Sequence, residues 1–171
     1  MTDAQKARIC TNAILEDKYR RSLCCPRCIP AFWTECDVLQ VTKAGYWVEY
    51  EIKVSRADFK ADARKQVTAG RYSSRHRTAP LKHDLLRTGS TRGPNRFYYV
   101  TPLGLITPEE LPEFAGLIEV NIDWDKRRRW PHPREVVKAP RLHTEKLDKK
   151  EVDRMMVGFY HRYMQQQLKK D

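Results

Sequence analysis

Apolar and polar positions change their spacing several times along this chain, and each change marks an element. Over residues 3–20, Ala4, Ala7, Cys10, Ala13 and Ile14 recur three or four apart, which is the period of one helix face. Thr2 or Asp3 can cap that helix. Residues 21–33 carry cysteines and prolines without a period and read as a connector ending in Ala31-Phe32-Trp33. TECDVLQVT, 34–42, then alternates and is rich in β-formers. Lys43-Ala44-Gly45 supplies a turn, and Tyr46 to Val54 alternates again, so an antiparallel hairpin is predicted.

Ser55 is placed as a helix N-cap with Asp58 three residues on, and residues 56–68 follow with Phe59, Ala63 and Val67 on one face. Residues 69–95 show no period beyond a short helical turn at Leu81 to Leu86. Arg96 to Thr101 predicts a strand stopped by Pro102, and Gly116 to Ile122 a further strand. Between them, 103–114 is interrupted by prolines, with a short helix at Thr107 to Leu111. After a proline-rich stretch at 123–143, a helix runs from about 149 to 168. Asp148 and Glu151 cap it, and Val152, Met155, Met156, Phe159 and Tyr163 form its buried stripe. The order helix, hairpin, helix, strand, strand, helix predicts one α/β domain over 1–171: a small mixed sheet with a central hairpin, flanked by helices.

Charge sharpens the picture. Lys and Arg number 33 against 22 Asp and Glu, a net charge of +11 in 171 residues. A domain this basic is expected to meet a polyanion, with nucleic acid first and an anionic membrane surface second. The excess is concentrated. The aperiodic loop carries Arg71, Arg75, Arg77, Lys82, Arg87 and Arg92, with Tyr72, His76 and His83 interleaved. Lys126, Arg127, Arg128 and Arg129, followed by Trp130, form a second run. Both read as arms that track a phosphate backbone, against the plainer reading of solvated segments.

No segment is apolar and long enough to span a bilayer, and the N-terminus lacks a signal-peptide core. Five cysteines, an odd number, fit free thiols in a reducing cytoplasm. Cys25 and Cys28 have the CxxC spacing of half a zinc site, beside Cys24, with Cys36 and Cys10 as candidates to complete it. Semi-buried free cysteines are the favoured reading.

The hairpin carries the chemistry. In EYEIKVSR, 49–56, the residues Glu49, Glu51 and Lys53 share one strand face, and Tyr50, Ile52 and Val54 share the other. Asp37, fourteen residues before Glu51, sits on the partner strand. Two carboxylates converging across a hairpin suit a hard divalent cation, and a neighbouring lysine suits the charge of a phosphoryl transition state. Glu35 and Glu49 are expected at the solvent edge. Asp58, Asp62 and Lys65 are expected on a solvated helix face, and His83 and His132 as loop histidines without a role.

Asp37 followed by Glu51-Ile52-Lys53 resembles the PD-(D/E)XK nuclease superfamily, with its restriction-endonuclease-like fold. The run 35–62 is closer still to a group of small phage and bacterial proteins of that superfamily, and Asn95 to Pro102 and Leu111 to Val120 resemble that group's later strands. Cys36 stands where the name-giving proline would be. The resemblance implies a Mg2+- or Mn2+-dependent nuclease acting on DNA in the cytoplasm, that of a bacterial host if phage-encoded. It implies Asp37, Glu51 and the carbonyl of Ile52 as metal ligands, Lys53 as catalytic lysine, and Glu16 on the first helix as a further ligand. A homodimer would suit a duplex cutter. The rival readings are a binding module that keeps the fold without catalysis, and an interaction protein with a structural zinc at Cys25 and Cys28.

Overall fold

The computed structural model describes residues 1–30, 33–67, 79–123 and 131–168. Helix α1 (Asp3–Lys18) opens with a complete capping box between Thr2 and Gln5. Then come strands β1 (Leu23–Cys28), β2 (Cys36–Val41) and β3 (Trp47–Ile52), helix α2 (Arg56–Ala61) with a 3-10 turn at Asp62–Arg64, and helix α3 (Lys82–Arg87). Strands β4 (Arg96–Pro102), β5 (Ala115–Val120) and β6 (Arg134–Val137) follow, then helix α4 (Lys149–Leu168).

Among the described residues the six strands form one sheet in sequence order. β1, β2 and β3 are antiparallel, β3, β4 and β5 are parallel, and β6 returns antiparallel. The predicted mixed α/β sheet with its hairpin and final helix is therefore present, but the edge strands fall in the expected connector at 21–33 and the proline-rich stretch at 123–143. Their sequences conceal them. β1 contains Pro26 and the positive-φ residue Arg27, and β6 is short and mostly exposed, so neither shows the apolar alternation of a half-buried strand.

Each face of the sheet has its own apolar cluster. On one face, Ile9, Cys10, Ala13 and Ile14 of α1 pack against Val38, Tyr50, Ile52, Tyr98 and Val100. On the other lie Leu39, Phe97, Tyr99 and Leu117, with Trp33, Leu86, Phe114 and Met155 of α4. Tyr163, expected in the buried stripe of α4, is instead 51% exposed. It borders a groove of about 390 Å3 with Pro26, Ile29 and Phe159.

The helix predicted over 56–68 stops early. Lys65 turns extended, Gln66 bridges Leu81, and the Val67 N–H donates to the Pro80 carbonyl. The chain leaving α2 and the chain entering α3 are thus tied together beside β3. No helix among the described residues is long and apolar enough to cross a membrane.

Candidate active site

Strand β3 is buried along its whole length. Its alternation sends Tyr50 and Ile52 to the α1 face and Glu49, Glu51 and Lys53 to the other, where they are buried and need partners within the protein. In the β2–β3 register Val38 faces Tyr50 and Leu39 faces Glu49, so one step further sets Asp37 opposite Glu51. Asp37 Oδ2 accepts from the Ile52 N–H at 2.8 Å. Asp37, Glu51, Ile52 and Lys53 are therefore brought together, as the spacing predicts.

The buried charges are compensated from three other elements. Glu51 Oε1 lies 3.1 Å from Lys53 Nζ and 2.9 Å from Lys65 Nζ, and Glu51 Oε2 lies 2.7 Å from Lys82 Nζ. Lys82, at the start of α3, also lies 2.8 Å from Glu49 Oε1. The indole N–H of Trp33 donates to Glu49 Oε2 at 2.8 Å. Lys53 Nζ lies 3.0 Å from Asp62 Oδ1 and 3.5 Å from Asp58 Oδ1. Asp62 Oδ2 meets the Tyr99 hydroxyl at 2.7 Å and His83 Nε2 at 2.9 Å. With every group ionised, the five carboxylates of Asp37, Glu49, Glu51, Asp58 and Asp62 outnumber the three ammoniums by two charges.

Titration behaviour divides these groups. Burial pushes the Glu51 carboxyl up, but the ammoniums of Lys82, Lys53 and Lys65 reverse this and hold it at about 2. Burial likewise acts on Asp62, and its hydrogen bond to His83 with the charges of Lys82 and Lys53 holds it low. Asp37 is raised, first by burial and then by the neighbouring Glu51 charge. Glu49 is raised by burial, against the pull of Lys82. Burial opposes the charge on Lys53, yet Glu51 and Asp62 raise it above the ordinary lysine value.

Several expectations need correction. Glu49, expected at the solvent edge, is fully buried, because every residue of β3 is covered. Asp62, expected on a solvated helix face, is 3% exposed, because the helix tightens into a 3-10 turn that points its carboxylate at Lys53. Lys82, expected to track a phosphate backbone, is fully buried against Glu49 and Glu51. His83, expected without a role, is hydrogen-bonded inside the network. Glu16 lies on α1, which covers the opposite face of the sheet, and lines a groove with Asp17, Arg20 and His132. It is not brought to Asp37 and Glu51. The strand alternation that singles out Glu51 and Lys53 also marks Glu49. No local signal reaches Lys82 or Tyr99.

Of the basic residues, Arg71, Arg75, Arg77, Lys126, Arg127, Arg128 and Arg129 lie outside the described residues. Arg92 is exposed. Arg87 is half exposed and paired with Glu113 at 2.9 Å and Asp84 at 3.2 Å. Cys25, Cys28 and Cys36 are buried in one core cluster, whereas Cys10 is buried in the cluster across the sheet. The four thiols therefore do not converge. Among the described residues, no group of three or more His, Cys, Asp or Glu is arranged to hold a metal ion. A magnesium-type site needs fewer protein ligands than that, since the ion takes one or two carboxylates and keeps several waters.

No protein-family model matches the sequence, and no curated protein is significantly similar to it. Among solved structures, the chain is similar to the SPO1766 protein of unknown function from Silicibacter pomeroyi. The TM-score is 0.59 at 19% identity, covering 100% of this chain and 93% of that one. The likeness concerns the fold.

Proposed function

We propose that this chain is a Mg2+- or Mn2+-dependent nuclease that hydrolyses DNA phosphodiester bonds, on a restriction-endonuclease-like core of the PD-(D/E)XK type. The observation that carries this reading is the placement of Asp37 opposite Glu51 across the β2–β3 hairpin, with Lys53 Nζ 3.1 Å from Glu51 on the same face. The donor set fits a hard cation. With every group ionised, the carboxylates exceed the ammoniums by two charges. Asp37 and Glu51 repel each other, which a cation between them would relieve.

Asp37, Glu51 and the Ile52 carbonyl would hold the ion, which supplies positive charge for the scissile phosphate and acidifies a water. Lys53 is held protonated by Glu51 and Asp62, so it donates rather than accepts. Its task is to orient the attacking water and stabilise charge on the phosphoryl oxygens, not to act as general base. Asp62 positions Lys53, and His83 and Tyr99 position Asp62. Lys65, 30% exposed, and Asp58 form the solvent side of the site, where a phosphate would approach. The basic runs at 71–77 and 126–129 would hold the backbone. Cutting both strands of a duplex would take two copies of the chain.

Cleavage tests this reading. Linear duplex, single-stranded and branched DNA are incubated with Mg2+, Mn2+ or EDTA. Metal-dependent cutting is expected, reduced about 10²- to 10³-fold in Lys53→Ala. One observation favours a second reading, a DNA-binding protein without catalysis: both oxygens of Glu51 are already ion-paired within the protein. DNA bound with or without metal and never cut, by a folded protein, would establish it.

A further inference from the structure

Lys82 is a fully buried charge, and catalysis as set out above does not use it. Its side chain is 0% exposed. Its ammonium lies 2.8 Å from Glu49 Oε1 and 2.7 Å from Glu51 Oε2, and 4.7 Å from the centre of the Phe97 ring. The backbone fixes it as firmly, since the Lys82 N–H donates to the Lys65 carbonyl at 2.8 Å. Lysine carries a compact charge on a flexible stem and is rarely buried without strong compensation. Here one ammonium bridges two carboxylates side by side on one strand face, as a divalent ion would.

Lys82 hydrogen-bonds Glu51 Oε2 and pairs with Glu49 Oε1, so one ammonium engages both carboxylates. The inner side of the cluster is closed by Trp33 on Glu49 and by Phe97. The outer side, with Asp37 half-buried and Asp58 49% exposed, is open to solvent.

We infer that Lys82 is a resident cation that takes the place of a second metal ion, so that the site accepts one divalent ion, on the Asp37 side of Glu51. This rests on the nuclease reading. Lys82 is a positioning residue: it fixes Glu51 and fills the inner position permanently, leaving the outer position to exchange with solvent.

Mn2+ binding to the full chain without DNA tests this, by electron paramagnetic resonance of free Mn2+ and by calorimetry. Wild type is expected to bind one Mn2+ per chain. Lys82→Ala opens the inner position and is expected to bind two, with Mn2+ raising its melting temperature more than that of wild type. Should Lys82→Ala fail to fold even with Mn2+, Glu49→Gln/Lys82→Met removes the buried pair as a neutral unit. That variant is expected to bind a single Mn2+ at least tenfold more tightly than wild type, because Glu51 Oε2 loses its ammonium partner while Lys53 and Lys65 stay on Oε1. Two Mn2+ on wild type would overturn the inference, as would one Mn2+ on folded Lys82→Ala or unchanged affinity in the double variant. No Mn2+ on wild type would overturn the metal-dependent reading itself, and this inference with it.

Discussion

Glu51 stays charged though buried because three ammonium groups, Lys53, Lys65 and Lys82, surround it. Removing one side of such a pair leaves uncompensated charge, so Glu51→Gln should cost about 3–5 kcal/mol in urea unfolding. The effect depends on pH with a definite sign. Glu51 ordinarily titrates near 4.5 and is held at about 2 in the folded protein. Its contribution is therefore present above 4.5 and lost as pH falls from 4.5 towards 2. Asp62 acts in the same direction, whereas Asp37 and Glu49, raised by burial, act in the opposite one. The difference between wild type and Glu51→Gln reports Glu51 together with its effect on Asp37 and Glu49. It should be flat from about pH 8 to 5 and shrink below that. A difference that stays constant down to pH 2 would mean that the lysines do not hold Glu51 ionised.

At the scale of elements, the parallel strands β3, β4 and β5 pack both faces, and this constrains single positions. Gly116 in β5 shows how tightly. A Cβ there would lie 2.5 Å from the Tyr98 ring and 2.6 Å from the Ala139 backbone nitrogen. Tyr98 is not free to yield, since it stacks on Tyr50 at 5.7 Å and donates to Glu135 at 2.8 Å. Gly116→Ala should therefore destabilise by about 1–3 kcal/mol, measured as the shift in urea midpoint. An unchanged midpoint would mean that β6 and the segment after it move aside freely. The hairpin β2–β3 was legible because both strands alternate and a glycine turn joins them. α2 was legible at its start, from Ser55, but not at its end. There the chain trades helical hydrogen bonds for the bridge between Gln66 and Leu81.

For the whole molecule, the +11 net charge is the dominant long-range feature. The structure has moved Lys82 out of that surface charge, and pairs Arg87 with two carboxylates. The remaining excess predicts nonspecific DNA binding that weakens steeply with salt. For six phosphate contacts, affinity should fall about 10³-fold between 50 and 200 mM salt, read by fluorescence anisotropy on a short duplex. A slope near zero would remove DNA backbone as the partner.

The sequence by itself determined what depends on neighbours along the chain. Periods of two and 3.6 residues marked α1, the hairpin, β4, β5 and α4. Capping residues marked helix starts, and one strand face placed Glu51 and Lys53 together with Asp37 across the turn. Only the tertiary structure decided what depends on contacts between distant segments. It placed β1 and β6 at the sheet edges, where weak patterns suffice because the sheet supplies their hydrogen bonds. It also turned Glu49, Asp62, Lys82, His83 and Tyr99 into one buried network. A charged residue carries no local mark of its burial. The partner that makes burial tolerable lies up to 37 residues away, as Tyr99 does from Asp62, and only folding brings the two within 2.7 Å.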